Sequence, residues 1–189
     1  KPNTSYTLTV KYDGQTYTDS LIGFLTVAPS KVFVVVENEH AESPFDTWAK
    51  AATNVNDAVE VAAEKGTTIF VSNGVHHVSK AITVNKQLTL KSVNGPSVTA
   101  ITTDGKDRIL NQTINNSTVA GFTLTGGNSQ ANGNGGGVNI YGGVLTNCVV
   151  CGNKTGGNSV GGGLAMGGSA LVTGCVVSNN EIDVNWWGA

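Results

Sequence analysis

The sequence predicts an all-β chain wound into a right-handed parallel β-helix, with a short N-terminal capping helix and a partial β-sandwich segment ahead of it. Three observations carry that prediction. The block Gly135-Gly136-Gly137-Val138-Asn139-Ile140-Tyr141-Gly142-Gly143 returns 26 residues later as Gly161-Gly162-Gly163-Leu164-Ala165-Met166-Gly167-Gly168-Ser169. The segment before each block repeats as well: Gly121-Phe122-Thr123-Leu124 aligns with Asn147-Cys148-Val149-Val150, and that aligns with Gly174-Cys175-Val176-Val177. Each unit consists of short β-rich runs separated by glycine and asparagine, with no stretch long enough for a helix. A fixed period of roughly 20–50 residues marks architectures whose repeats bury their apolar faces only against their neighbours.

Residues 1–28 have their own pattern. Ser5 to Tyr12 alternates and is rich in β-branched and aromatic residues, Asp13-Gly14 is a hairpin signal, and Gln15 to Thr18 returns. Leu21 to Val27 predicts a third strand. Such strands resemble the last part of an immunoglobulin-like or PKD-type module, and three alone make a marginal fold. Residues 29–67 then link and cap. Lys31 to Val36 reads as a buried strand, followed by a polar loop with Glu37, Glu39, His40, Glu42 and Pro44. A helix is predicted from Asn54 to Lys65. Asn54 is its N-cap, and Asp57 favours the positive end of the dipole. Val55, Ala58, Val59 and Ala62 form one apolar face, and Gly66 ends the helix. An open solenoid end exposes its bore and its strand edges, so this helix, with Trp48 nearby, is the expected lid.

Residues 68–189 are read as coils. Strands are expected at Thr68–Val71, His76–Val78, Ile82–Val84, Leu88–Leu90, Val98–Ile101, Arg108–Leu110 and Thr118–Leu124, with turns at Asn73-Gly74, Asn94-Gly95-Pro96 and Asp104-Gly105. Phe122, Leu124, Cys148, Val150, Cys175 and Val177 are assigned to inward columns, and Val138, Ile140, Leu164 and Met166 to another. Asn153 and Asn180 occupy equivalent positions and predict an asparagine ladder, each amide bonding the next.

The stretch Pro44 to Val59, then Thr68-Ile69-Phe70-Val71-Ser72-Asn73-Gly74-Val75, resembles the entry of bacterial right-handed parallel β-helix proteins of the pectin-lyase-like superfamily. Ser92 to Pro96, Ala120 to Leu124 and Asn185-Trp186-Trp187-Gly188 fit the same pattern. The Gly-Gly-Gly-Val/Leu blocks with Asn153 ahead also resemble repeats of chlamydial polymorphic outer-membrane proteins. The resemblance covers roughly residues 31–189 and implies a secreted or surface-attached protein. It does not select an activity, because this fold carries lyases, hydrolases, epimerases and adhesins alike.

Composition narrows the function classes. The chain has 189 residues, a formal charge of −2 and only 13% charged residues, and its few Lys and Arg are scattered, which argues against nucleic acid. No apolar run reaches the roughly 20 residues of a membrane-spanning helix. Lys1 is not an initiator methionine, so a processed form or an excerpt is expected and missing targeting signals carry no information on location. Three cysteines cannot all pair within one chain. Cys148 and Cys175 should stack about 4.8 Å apart, within disulfide reach, although small buried thiols account for them as well. The Cys148-x-x-Cys151 pair lacks a second ligand pair, and no metal or cofactor is implied.

Enzymes that cleave polysaccharides on such a scaffold need carboxylates on adjacent coils. Between Ile109 and Asn180 the only charged residue is Lys154. The weak catalytic candidates are therefore Asp104, Asp107 and Arg108 in one loop, with His76 and His77 one or two coils earlier. They offer carboxylate, cation and imidazole for acid–base work on a uronic acid polymer. Trp186-Trp187 is a candidate sugar-stacking platform or an end-packing pair. Two readings follow. One is a non-catalytic extracellular or bacterial cell-surface module, a stalk or adhesin-like domain contacting glycan or a host surface. The other is a fragment of a polysaccharide lyase or glycoside hydrolase whose site lies mostly outside this chain. Columns of Thr-x-Thr suited to ice do not form, since Thr123-Leu124-Thr125 is replaced by Val149-Val150-Cys151 one coil on.

Overall fold

The computed structural model describes residues 6–12, 15–21, 28–129, 133–156 and 159–183. The first two spans form strands β1 (Tyr6–Tyr12) and β2 (Gln15–Leu21), an antiparallel hairpin whose register runs from Tyr6 opposite Leu21 to Tyr12 opposite Gln15. The expected turn at Asp13-Gly14 and the rest of the third strand lie outside the described residues. Of the partial sandwich expected ahead of the coils, the described residues show this two-stranded hairpin.

Strand β3 (Lys31–Val34) opens the solenoid. It is followed by a 3-10 turn (Trp48–Lys50), helix α1 (Val55–Val61), and strands β4 (Lys65–Val71), β5 (Gly74–Val78) and β6 (Ile82–Val84) of the first full coil. The second coil holds β7 (Gln87–Ser92), β8 (Thr99–Thr103) and β9 (Leu110–Gln112). Next come β10 (Thr118–Ala120), β11 (Thr123–Thr125) and β12 (Val138–Ile140). The fourth coil has β13 (Val144–Thr146), β14 (Val149–Cys151), β15 (Lys154–Gly156) and β16 (Leu164–Met166). The last described coil has β17 (Leu171–Thr173), β18 (Val176–Ser178) and β19 (Glu181–Asp183). Strands stack in parallel into three long sheets, β3-β4-β7-β10-β13-β17, β5-β8-β11-β14-β18 and β6-β9-β12-β16, with β15 paired to β19. The chain is thus an all-β parallel solenoid with one short helix.

Strand register turns the repeat into packing. Val32, Ile69, Leu90, Val119, Leu145 and Val172 form one inward column, and Ile101, Leu124, Val150 and Val177 lie in register on the next sheet. Each buried aliphatic side chain contributes about 1.5–3 kcal/mol relative to exposure, and within each column it packs on the aliphatic residue of the adjoining coil. The expected columns hold for Phe122, Leu124, Cys148, Val150, Val138 and Ile140, all buried. They fade at the last strands of each sheet: Cys175 and Leu164 are half-buried, while Met166 and Val177 are 57% and 49% exposed. No described strand lies on the far side of β16 or β18.

Several sequence expectations are corrected by tertiary contacts. The helix ends at Val61, four residues before the expected Lys65, because Lys65 already belongs to β4. Its C-terminal carbonyls are held by the Lys86 ammonium, which donates to Val59 O (3.1 Å), Glu60 O (2.8 Å) and Ala62 O (2.9 Å) from the second coil. Its N-terminus follows the sequence, with Asn54 Oδ1 accepting from Asn56 N at 2.8 Å. The helix packs on β3, β4, β5 and β6 and buries Val55, Ala58 and Val59. β3 is not buried on both faces: Lys31 is exposed and Phe33 half-buried, and Val36 beyond it is exposed. Its outer edge is closed by the loop before the helix, through Phe33 N to Phe45 O, Ala52 N to Phe33 O and Val35 N to Ala52 O, each 2.9 Å. The single strand expected over Thr118–Leu124 breaks at Gly121 (φ 79°), where the chain turns a corner into β11. The strand expected at Arg108–Leu110 starts two residues later, at Leu110.

The asparagine ladder forms as expected, and it explains the third glycine of each block. Asn153 Nδ2 donates to Asn180 Oδ1 (3.0 Å) and Leu124 O (3.0 Å), and Asn180 Nδ2 donates to Val150 O (2.9 Å). One coil earlier the position is Gly127, whose N–H donates to Asn153 Oδ1 at 2.8 Å. The third glycine of each block passes directly over this ladder. A Cβ on Gly137 would lie 2.6 Å from Asn153 Cγ, and one on Gly163 would collide with Asn180. Only glycine fits there.

Candidate functional site

The weak catalytic candidates do not converge. On β5 successive side chains point to opposite faces of the sheet. His76 therefore points into the bore, 3% exposed and in register with Ile101, while His77 faces outward opposite Thr102. The His76 Nε2 hydrogen-bonds Ser72 O at 2.9 Å, and its buried Nδ1 has no partner among the described residues. Burial lowers the pKa of His76, against the opposing effect of the Ser72 bond. Asp104 is an exposed turn carboxylate 3.3 Å from Lys106 Nζ, and that hydrogen bond holds its pKa below the ordinary value.

Asp107 and Arg108 tie coils together. Asp107 accepts from Ala81 N (3.0 Å) in the previous coil and from Arg108 N (2.8 Å). Arg108 donates to Asn134 O (2.7 Å) in the next coil, where Asn134 Oδ1 accepts from Val160 N (3.2 Å) in the one after. The result is a column of loop contacts along one corner of the solenoid. Among the described residues, no group of three or more His, Cys, Asp or Glu is placed to hold a metal. The three cysteines are free thiols. Burial is the main cause that pushes the Cys148 thiol up to about 11, which removes it as a nucleophile near neutral pH.

A different feature stands out on the outer face of the first sheet. Phe33 and Phe70 are neighbours in register, with ring centroids 5.5 Å apart and planes within 17°. Trp48 meets Phe33 at 4.6 Å between ring centroids with the planes tilted by 51°, and Lys91, the next residue in the Phe70 column, holds its Nζ 4.9 Å from the Phe70 centroid. Trp48, itself 45% exposed, thus belongs to an outward-facing aromatic cluster with the half-buried Phe33 and Phe70 and does not cover the bore. The stack borders an open groove of about 370 Å³ lined by Trp48, Ser72, Asn73, Val93 and Asn94. Asn94 Nδ2 donates to Asn73 Oδ1 at 2.8 Å. Two other surface hollows, of about 420 and 330 Å³, have no aromatic lining.

Sequence reasoning missed this surface, although a signal was present. Val32/Val34 and Ile69/Val71 alternate inward, so Phe33 and Phe70 between them must point outward. The Trp186-Trp187 platform lies outside the described residues. No described helix is long and apolar enough to cross a membrane. In comparisons with protein-family models, curated proteins and solved structures, nothing matches the chain.

Proposed function

We propose that this chain is a non-catalytic extracellular or surface module, a stiff β-solenoid acting as a stalk or adhesin-like domain that contacts glycans. The observation that supports it is the fate of the acid–base candidates. Asp107 and Arg108 hold neighbouring coils together, His76 is in the bore, and Asp104 pairs with Lys106 at an exposed turn. Glycosidic cleavage needs an acid and a base flanking one bond, with carboxyl groups about 5–9.5 Å apart in the common mechanisms. The coils from Ile109 to Asn180 contain no Asp or Glu to supply them. A right-handed wind is part of this reading, since parallel crossovers are right-handed in about 98% of cases.

The test is incubation of the chain with pectate, alginate and neutral polysaccharides, with and without Ca²⁺, monitoring unsaturated and reducing ends. No product is expected. Turnover abolished by Asp104→Ala or Arg108→Ala would overturn the reading and make that loop an active site.

A further inference from the structure

We infer that the Trp48 groove is a saccharide-binding site, in which a pyranose ring lies on the Trp48 indole and its hydroxyls meet the Asn73–Asn94 amide pair. This rests on the reading of the chain as a non-catalytic, glycan-contacting module and assigns that contact to specific residues. Of the six aromatic residues in 28–183, Phe122 is fully buried, whereas Phe33, Trp48 and Phe70 are gathered on one outer face. An exposed indole braced by a tilted phenyl ring 4.6 Å away is pre-organised, so a ligand has less to order on binding.

The polar half of the groove has the matching chemistry. The Asn94-to-Asn73 bond uses one Nδ2 proton of Asn94 and one acceptor site of Asn73 Oδ1. Among the described residues Asn73 Nδ2 remains as a donor and Asn94 Oδ1 as an acceptor, and the neighbouring Ser72 hydroxyl, which donates to Asn73 O at 3.3 Å, keeps its acceptor lone pairs. A sugar presents the same combination, an apolar C–H face and vicinal hydroxyls that both donate and accept. A single-stranded nucleic acid would also stack, but it needs a basic track for its phosphates, and among the groove and stack residues Lys91 is the only cation. Lys91 at the far end of the stack favours a sugar carrying a carboxylate if the chain of rings extends over Phe70.

The experiment titrates the full chain with cellohexaose, xylohexaose and oligogalacturonate, reading tryptophan fluorescence and calorimetry. Binding of at least one oligosaccharide is expected. Trp48→Ala should weaken it about tenfold or more, the effect of losing ~1.4 kcal/mol of stacking. Trp48→Phe should retain part of it, and Asn73→Ala and Asn94→Ala should each weaken it. Thermal unfolding of the variants separates binding loss from misfolding. If the ligand is a uronic acid oligomer, Lys91→Met and added salt weaken binding; if it is neutral, neither does. Absence of binding to all three probes overturns the inference, as does binding that survives Trp48→Ala, or binding lost only with Trp186→Ala and Trp187→Ala. Release of cleaved products would instead overturn the non-catalytic reading, whichever variants bind.

Discussion

Replacing Asn153 with alanine should destabilise the solenoid by about 3–5 kcal/mol. The side chain is 1% exposed and joins three successive coils. Its loss orphans the buried Gly127 N–H, which now donates to Oδ1 at 2.8 Å, for about 1–3 kcal/mol. It also removes the Nδ2 bonds to Leu124 O and Asn180 Oδ1, each worth about 1 kcal/mol net. Asn153→Asp is the sharper probe because it keeps the shape. One carboxylate oxygen still accepts from Gly127, but the other faces Leu124 O and Asn180 Oδ1, oxygen against oxygen. Only the protonated acid restores a donor, so the folded pKa of Asp at this position rises above its unfolded value of about 3.9. The neutral form is the compatible one. Stability relative to the native sequence is therefore retained below about pH 3.9 and lost as pH rises through the folded pKa. Urea unfolding followed by far-UV circular dichroism, at several pH values beside the native protein, measures both effects. A cost under about 1 kcal/mol for Asn153→Ala, or an Asn153→Asp profile parallel to that of the native chain, would refute the ladder argument.

Phe122→Ala should cost about 3–5 kcal/mol in the same assay, since Phe122 is fully buried; a cost near that of an exposed site would contradict its place in the column. Cys148 should label far more slowly than Cys151 and Cys175, with its buried thiol raised to about 11, and equal labelling rates in the folded chain would contradict the register. His76 has a lowered folded pKa, so the unfolded chain binds more protons below about pH 6.5 and stability falls as pH drops through that range. His76→Val, which keeps an apolar neighbour for Ile101, should flatten that acid limb, whereas an unchanged limb assigns the pH dependence elsewhere.

The repeat, the asparagine ladder and the inward columns were legible in the sequence because they are periodic. A residue that recurs at one-coil spacing meets its own equivalent, so one unit predicts the environment of the next. The N-terminus of the helix was legible too, because Asn54 caps its own helix from two residues away. What failed to show involved groups brought together from unlike parts of the chain. Lys86 caps the helix from a different coil, and β4 already begins at Lys65, so the C-terminus could not be read locally. His76 and His77 read as a pair, but the strand's two-residue period sends them to opposite faces. Asp107 and Arg108 read as acid–base chemistry until Ala81 and Asn134 arrived on either side as partners. Trp48 reaches Phe33 only because its loop folds back along the β3 edge. Sequence by itself determined what each coil repeats, since residues one period apart stack on one another. Apart from that ladder, the tertiary structure decided which side chains are consumed by inter-coil bonds and which are left on the surface to meet a ligand, because Asp107 and Arg108 meet residues of a different type, Ala81 and Asn134, one coil away.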